Sequence, residues 1–158
     1  MPTESSTADS RLADLGIRLP DPPSPFGAYV EAVQTGNLLF LSGMLATAGR
    51  AVTIAGIVGK DLDVPKGREA ARTAALNVLA VARQHLGSLD RVSRVVRLGV
   101  SVAATPQFTE HPKVADAASE LLRDVFGEAT MPSRLVLGVA SLPLGSPVEL
   151  EVILEVKA

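Results

Sequence analysis

Cysteine is absent from this sequence of 158 residues, and aromatic residues are scarce. The lack of cysteine excludes disulfide bonds, thiolate metal ligands and a thiolate nucleophile, and it is compatible with a reducing compartment. Any chemistry must therefore use oxygen atoms, nitrogen atoms or the backbone. Aromatic residues form 3% of the chain and hydrophobic residues 47%, which predicts a core built mainly from Val, Leu and Ala.

Dense runs of one charge and long apolar runs are also missing. The formal net charge is −2, and no segment concentrates Lys and Arg. Binding to a phosphate backbone normally requires a basic patch, so nucleic acid is not an expected partner. No stretch reaches the roughly 18 to 20 apolar residues of a membrane span, and the start of the chain lacks the features of a signal peptide. We therefore expect a cytoplasmic protein with no membrane partner.

The chain length fits one domain with a single hydrophobic core. Residues 1–24 are predicted to form an N-terminal arm, partly flexible, because a polar start is followed by four prolines between residues 19 and 25. Prolines fix φ and lack an amide donor, so they favour extended or turned backbone. Within the arm, residues 11–16 resemble a short helical turn that ends at a glycine. Residues 25–158 form the single predicted domain.

Apolar periodicity predicts the elements of that domain. Alternating apolar residues predict strands, and apolar residues three and four apart predict helices. The predicted strands span residues 28–34, 38–43, 92–104, 134–140 and 147–156, with a weaker candidate at 53–58. The predicted helices run from after Pro65 to Leu86 and from Val114 to Val125, and each is followed by a glycine that can end it.

The element order β-β-(β)-α-β-α-β-β predicts an α+β fold, in which two helices pack on one face of a mixed β-sheet. The opposite face is rich in Val and Leu and requires a cover. Self-association is the simplest cover, so we expect a homo-oligomer. Shielding by loops and the N-terminal arm is the alternative.

Arg134 is the strongest candidate for a binding residue. The proline-stiffened loop Met131-Pro132-Ser133 delivers it to the start of a strand. Its planar guanidinium suits bidentate binding of a carboxylate, and each such hydrogen bond contributes about 1.5 to 3 kcal/mol when shielded from water. A structural ion pair or a solvated strand end is an equally good interpretation of the residue alone.

Three glutamates, Glu149, Glu151 and Glu155, share one face of the last strand. A solvated face is the simpler interpretation. If one of them lies beside Arg134, it can orient or activate a water molecule while the arginine holds an anionic substrate. That chemistry needs neither a metal nor an organic cofactor. The pattern does not identify which glutamate would act.

His85 and His111 are too far apart in the sequence to have metal-ligand spacing, and we interpret both as structural or surface residues. Glycine-rich phosphate loops and the Gly-x-Ser-x-Gly motif are absent as well. We therefore expect no metal and no cofactor.

Four motifs in register resemble the RidA/YjgF family. They are Phe26-Gly27-Ala28-Tyr29, Gly36 to Gly43, Pro132-Ser133-Arg134, and Leu142-Pro143 followed by Val148-Glu149-Leu150-Glu151. The match covers about residues 25 to 157. The resemblance implies a chorismate-mutase-like fold and a homotrimer with clefts between subunits. It also implies cofactor-independent hydrolysis of reactive 2-imino or enamine acids to 2-keto acids and ammonia.

The resemblance also implies roles for individual residues. Arg134 matches the arginine that binds the substrate carboxylate, and Glu149 matches the glutamate associated with the attacking water. Tyr29 matches an aromatic wall of the site. Ser42 and Gly43 match the loop that contacts the small carboxylate-bearing substrate.

Three departures from the family pattern indicate a divergent subgroup. Val136 stands where many members have a cysteine near the substrate, and the N-terminal arm is longer. The segment from Gln107 to Asp116 is longer than in the shortest members. The polar residue that the second helix usually supplies is therefore either Asp116 or Ser119.

Two other functions remain open at the level of sequence. The first alternative is a non-catalytic trimeric module that binds small carboxylates, such as keto acids, in clefts between subunits. Val136 motivates this alternative. Endoribonuclease activity is the weaker alternative, because relatives carry that name. The acidic charge balance and the few aromatic residues disfavour an RNA-binding groove.

Overall fold

The structure, a computed structural model, describes residues 6–158. Its helices are α1 (Ala8–Asp14), α2 (Val64–Leu86) and α3 (His111–Phe126). Its strands are β1 (Ala32–Thr35), β2 (Leu38–Leu45), β3 (Thr47–Ala48), β4 (Ala51–Val52), β5 (Val92–Ala103), β6 (Ser133–Val139) and β7 (Val148–Val156). Five strands form one sheet in the order β1-β2-β7-β5-β6, and β3 pairs with β4 in a separate two-stranded ribbon.

The main sheet is mixed, as the element order predicts. The crossover through α3 makes β5 and β6 parallel, and every other neighbouring pair in this sheet is antiparallel. Helices α2 and α3 lie side by side on one face. The guanidinium of Arg68 links them, with its Nη2 2.7 Å from Glu120 Oε2 and its Nη1 2.7 Å from the Lys113 carbonyl. The α+β fold is confirmed.

Both predicted helices end at the predicted glycines. Gly87 has φ 84°, a left-handed conformation that stops α2, and the amide of Gly127 donates to the Arg123 carbonyl at the end of α3. At its start, α2 is capped by Asp63, whose side chain accepts from the Lys66 amide at 3.0 Å. Across residues 6–158, none of the helices is both long enough and apolar enough to cross a membrane.

The face of the sheet opposite α2 and α3 is open. Strand β7 shows the alternation: Val148, Leu150, Val152, Leu154 and Val156 are buried, whereas the residues between them are more exposed. Large apolar side chains also lie on the open side, including Val33, Phe40, Leu135 and Leu137, which are between 40% and 52% exposed. Within residues 6–158, neither loops nor the arm shield these four side chains.

The first strand is shorter than predicted. It begins at Ala32 rather than at Ala28, because the chain bends before it. The amide of Tyr29 donates to the Gly27 carbonyl at 3.0 Å, and Ser42 Oγ donates to the Val30 carbonyl at 2.6 Å. These bonds replace part of the predicted strand pairing and turn the bent residues towards a cleft described below.

The weaker strand predicted at residues 53–58 is wrong. The ribbon of β3 and β4 ends at Val52, and Val58 makes only isolated bridges, with Leu62 and Ala104. Gly56 has φ 136° and Gly59 has φ 91°, conformations that interrupt an extended strand and that L residues rarely adopt.

The N-terminal arm contributes a packed helix. Leu12 of α1 is buried, and Arg11 Nη1 donates to the Val125 carbonyl at 3.1 Å, near the end of α3. A cation is favoured there by the helix dipole. The predicted turn at residues 11–16 thus corresponds to α1 and to Gly16, which has φ 66°. Residues 1–5 of the predicted arm lie outside the described residues.

Asn77 connects the helical layer to the junction between β2 and β3. Its side chain on α2 is buried, with 2% of its surface exposed. Its Nδ2 donates to the Leu45 carbonyl at 3.1 Å and to the Thr47 carbonyl at 3.0 Å. This amide therefore satisfies two backbone acceptors at a point where the strand direction changes.

Replacing Asn77 with alanine should destabilise the fold by about 1 to 3 kcal/mol, because two carbonyls lose their donor in a buried site. Urea denaturation followed by circular dichroism measures this change. Gln84→Ala, which removes an exposed amide from the same helix, is the matched control and should change the unfolding free energy by less than about 0.5 kcal/mol. Equal losses for the two variants would contradict the assignment.

Candidate functional site

A cleft of about 540 Å³ lies beside β2 and β7. Four residues that the sequence singled out, Tyr29, Ser42, Gly43 and Glu149, all line it. The rest of the lining is mostly apolar and comes from Pro23, Pro25, Phe26, Met44, Leu45, Pro143 and Leu144, with polar contributions from Ser24, Glu31 and Thr47. The fold therefore brings together residues from three of the four sequence motifs.

A bulge in β2 shapes the floor of the cleft. Between the pairs Leu41 with Val152 and Met44 with Leu150, two residues of β2 face a single residue of β7. The two residues of β2 in this bulge are Ser42 and Gly43, which the family resemblance matches to the loop that contacts the substrate. A regular ladder would not provide this local change of direction.

The amide and the hydroxyl group of Ser42 both donate hydrogen bonds to backbone carbonyls of the same chain. Its amide donates to the Glu31 carbonyl at 2.8 Å, and its hydroxyl donates to the Val30 carbonyl at 2.6 Å. Tyr29 is held in a similar way, because its hydroxyl accepts from the Phe26 amide at 3.0 Å. Together these bonds hold the segment from Phe26 to Glu31 as one wall of the cleft.

Gly43 provides room for the carboxyl group of Glu149. A Cβ atom at position 43 would lie 2.1 Å from Glu149 Oε1 and 3.0 Å from its Cδ. Such separations are far below van der Waals contact, so any other residue here would displace the carboxyl group. The glycine is thus required for a close approach.

Glu149 differs from the other two glutamates of β7. Burial removes solvent from its carboxyl group and raises its pKa above the usual value for glutamate. Glu155 accepts a hydrogen bond from Ser93 Oγ at 2.8 Å, and the exposed Glu151 lies 3.8 Å from Arg97 Nε. Of the three, only Glu149 lines the cleft. The tertiary structure therefore distinguishes residues that the alternation alone does not.

Arg134 lies in a second cluster, against α3. Its Nη1 donates to Asp116 Oδ1 at 2.7 Å and to Ser119 Oγ at 3.0 Å. Both residues that the sequence offered as alternatives from the second helix therefore contact the arginine. A guanidinium has five N–H donors, and the Arg134 side chain keeps 26% of its surface exposed. The contacts with Asp116 and Ser119 both involve Nη1, so Nη2 and Nε of the guanidinium keep N–H donors for a ligand.

Within one chain, the two predicted catalytic residues lie on opposite faces of the sheet. Arg134 is in register with Leu98, whose buried side chain faces the helices. Glu149 is in register with Ser101, on the open face. Strand β5 separates β6 from β7. The expectation that Arg134 lies beside Glu149 is therefore not met within a single chain.

Val136 and the two histidines are not part of the cleft lining. Val136 packs against the core from β6, in register with Val100. His111 begins α3 and makes an edge contact with the Phe108 ring, with ring centroids 5.0 Å apart. His85 Nε2 lies 3.2 Å from Gln34 Oε1. In the part of the chain that the structure describes, no group of three or more His, Asp or Glu side chains could hold a metal ion.

Several residues that line the cleft were not predicted from the sequence as site residues. The prolines at positions 23 and 25 belong to the predicted arm, yet they line the cleft together with Glu31 and Leu144. Their positions depend on how the segment before β1 folds back over the bulge. A proline-rich stretch next to a family motif is the one feature that could have suggested this arrangement.

The raised pKa of Glu149 predicts how stability changes with pH. The folded chain holds the Glu149 proton more tightly than the unfolded chain does, so protonation of Glu149 stabilises the fold. This stabilisation is lost as the pH rises from the usual glutamate pKa through the raised one. The stability of Glu149→Gln relative to wild type should increase over that window and then stay constant. Urea denaturation at a series of pH values measures it, with Glu151→Gln as the same-strand control. A difference independent of pH would contradict this prediction.

A substitution at Gly43 should move the Glu149 carboxyl group without unfolding the chain. In Gly43→Ala, the new Cβ pushes a flexible carboxyl group from the backbone towards solvent, which should lower its pKa towards the usual value. NMR titration of the carboxyl carbon measures this shift. Gly99→Ala is the control, because its Cβ would meet Glu151 Cβ at an ordinary 3.6 Å. An unchanged Glu149 pKa in Gly43→Ala would rule out the close contact.

Known proteins share both the sequence pattern and this architecture. Residues 9–156 match the family model described as "YjgF/chorismate_mutase-like, putative endoribonuclease", a range that includes nearly all of α1. Protein TCP17 of Trypanosoma cruzi is 41% identical over 152 residues, which cover 96% of this chain and 95% of the relative. A 2-iminobutanoate/2-iminopropanoate deaminase of Dermatophagoides farinae is 29% identical over 141 residues, covering 89% of this chain and 95% of the relative.

A solved structure agrees with the fold over the same range. The crystal structure of a "putative endoribonuclease" from Shewanella oneidensis superposes with a TM-score of 0.91 and is 32% identical. The alignment covers 96% of this chain and all of that one, 100%. Because the family model matches residues 9–156, nearly the whole sequence, the chain belongs to the RidA/YjgF family.

Proposed function

We propose that this chain is a cofactor-independent hydrolase that converts reactive 2-imino acids, or their enamine tautomers, into 2-keto acids and ammonia. One observation carries the proposal: the Glu149 carboxyl group, with a raised pKa, lies at the floor of a mostly apolar cleft. A raised pKa makes a carboxylate a stronger proton acceptor near neutral pH. Membership of the RidA/YjgF family and the similarity to a named iminobutanoate deaminase support the same reaction.

Glu149 acts as a general base in the proposed reaction. It takes a proton from water while the water oxygen forms a bond to the C=N carbon of the substrate. The C=N π electrons move to the nitrogen, and the protonated Glu149 carboxyl group returns its proton to that nitrogen. Glu149 then accepts the hydroxyl proton as the C=O bond of the keto acid forms and the C–N bond breaks. The released ammonia takes up this proton and leaves as ammonium. Because a protonated imine is already electrophilic, assistance of about 10²- to 10⁴-fold from one base is enough.

The substrate carboxylate requires a cation that the cleft of a single chain lacks. Among the described residues that line this cleft, two are glutamates and none is Lys or Arg. We assign the anchor to Arg134 of a neighbouring copy. Arg134 lies on the edge strand β6, where another chain can approach it, and Asp116 and Ser119 hold it in place. Its remaining donors suit a carboxylate.

Self-association follows from the same arrangement. The open face exposes Phe40, Leu135 and Leu137, and large exposed apolar patches mark interaction surfaces. A closed ring of identical chains covers this face in every copy. The proposed assembly is the homotrimer that the family resemblance implies, with sites between subunits.

RNA cleavage is less well supported by this cleft. Glu31 and Glu149 would repel a phosphate backbone, and the lining carries no basic side chain among the described residues to offset them. The remaining alternative is a trimeric module that binds small carboxylates without turning them over.

The deaminase proposal is tested by generating 2-imino acids in place with an amino-acid oxidase and measuring keto-acid release. Glu149→Gln should lose about 10²- to 10⁴-fold in rate. Arg134→Ala should lose about ten- to a hundredfold in kcat/KM, as expected for lost charge-assisted hydrogen bonds. Glu69→Gln and Arg83→Ala, which remove exposed charges from α2, are the controls. Equal release with wild type and without protein would rule out the enzyme.

Mixing the two impaired variants tests whether the site is shared between chains. In a trimer assembled at random from Arg134→Ala and Glu149→Gln chains, about a quarter of the shared sites regain both native residues. Activity should therefore rise above that of either variant alone on co-refolding, and light scattering should give the mass of three chains. No recovery would contradict a shared site. If wild type is inactive but binds pyruvate in calorimetry through Arg134, the chain is a binding module.

A further inference from the structure

Leu144 has an unusual backbone conformation at the rim of the cleft. Its φ of 59° and ψ of 13° lie in the left-handed region, and it is the one non-glycine residue with positive φ in residues 6–158. A branched apolar side chain is disfavoured in this region, where glycine and asparagine are common. Strain of this kind persists where the surrounding structure holds it, and it is concentrated at binding sites.

The residues after Leu144 hold the turn in place. Ser146 is fully buried. Its Oγ donates to the Val148 carbonyl at 2.8 Å and accepts from the Ala46 amide at 3.3 Å. The carbonyl of Gly145 accepts from the Gly56 amide at 3.0 Å. These contacts prevent the turn from relaxing, so the position of Leu144 is imposed by its neighbours.

The side chain of Leu144 is displayed and does not pack into the core. It is 56% exposed, yet it lines the same cleft as Glu149 and Phe26. Phe26 is itself 36% exposed, and the Arg50 guanidinium carbon lies 5.8 Å from the centroid of its ring. A contact of this kind favours one position of the ring. Neither side chain belongs to the hydrophobic core of the described residues, so two large apolar side chains are presented at the cleft.

We infer that Leu144 and Phe26 form the subsite for the side chain of the substrate, and that this subsite selects imino acids with bulky apolar side chains. The inference rests on the proposed function and names its substrate class. Glu149 marks the position of the reacting carbon, and the substrate carboxylate is assigned to a cation outside this cleft, so the third substituent is left to the apolar lining. Glu31 in the same lining disfavours an acidic side chain.

Substrate selectivity tests the inference. Imines made from leucine, alanine and glutamate are compared by kcat/KM, and wild type should prefer the leucine imine over the other two by at least about tenfold. Leu144→Asn keeps a residue that tolerates left-handed backbone but makes the subsite polar. It should lose most of that preference, which is measured as the ratio of kcat/KM for the leucine imine to kcat/KM for the alanine imine. Leu15→Ala, at a side chain 50% exposed beyond the end of α1, is the control and should retain the preference.

Leu144→Gly separates a binding role from a structural one. Glycine relieves the left-handed backbone, so this variant should melt at the same temperature as wild type or higher while losing the selectivity. A lower melting temperature with unchanged selectivity would overturn the inference. A wild-type preference for the alanine or glutamate imine would also overturn it and leave the deaminase proposal intact.

Failure of the deaminase proposal gives a different result. If no imine is hydrolysed faster than without protein, the enzyme assignment fails, and calorimetry with the keto acids of leucine and alanine then tests the subsite directly. Tighter binding of the leucine keto acid that Leu144→Asn abolishes would support the subsite. Equal binding of the two keto acids would overturn it.

Discussion

The close approach of the Glu149 carboxyl group to the backbone of Gly43 is the contact on which the cleft depends. It is possible because β2 bulges at Ser42 and Gly43 and because position 43 has no Cβ. The bulge also turns the groups of Ser42 towards the segment before β1, whose residues become the wall of the cleft. One irregularity in an antiparallel pair thus produces both a desolvated carboxyl group and the apolar pocket around it.

The two faces of the sheet divide the proposed chemistry. Glu149 lies on the open face, and Arg134 lies on the helical side with Asp116 and Ser119. A site that needs both residues therefore needs more than one chain. Covering the open apolar face and completing the site would then be a single event, and an isolated chain would be both less stable and inactive. Oligomerisation in this view is part of the catalytic arrangement.

Three features of the cleft and of the open face carry a cost in stability. Burial of Glu149 disfavours its charged form, Leu144 has a left-handed backbone, and Phe40 is exposed on the open face. The compensation lies in the helical layer, where α2 and α3 bury a nearly continuous set of Ala, Val and Leu side chains against the sheet. Dense packing of small side chains also lets the two helices approach closely, as at Gly67, where a Cβ would lie 3.0 Å from Val114. This division between a stable layer and a strained rim is common in functional proteins.

The sequence alone determined the features that depend on local chemistry and periodicity. The two long helices, their glycine ends and the alternating faces of β7 are encoded by residues close together in the chain, so the sequence pattern predicts them correctly. Motifs in register were also enough to recognise the family. Tertiary structure decided what depends on register between distant strands. In that structure β1 begins at Ala32, and residues 53–58 do not form a strand. Glu149 is the one of the three glutamates that lines the cleft, and its side chain lies on the opposite face of the sheet from that of Arg134. Neither a bulge in β2 nor the order of strands across a sheet leaves a local signature, because both arise from the packing of segments far apart in the chain.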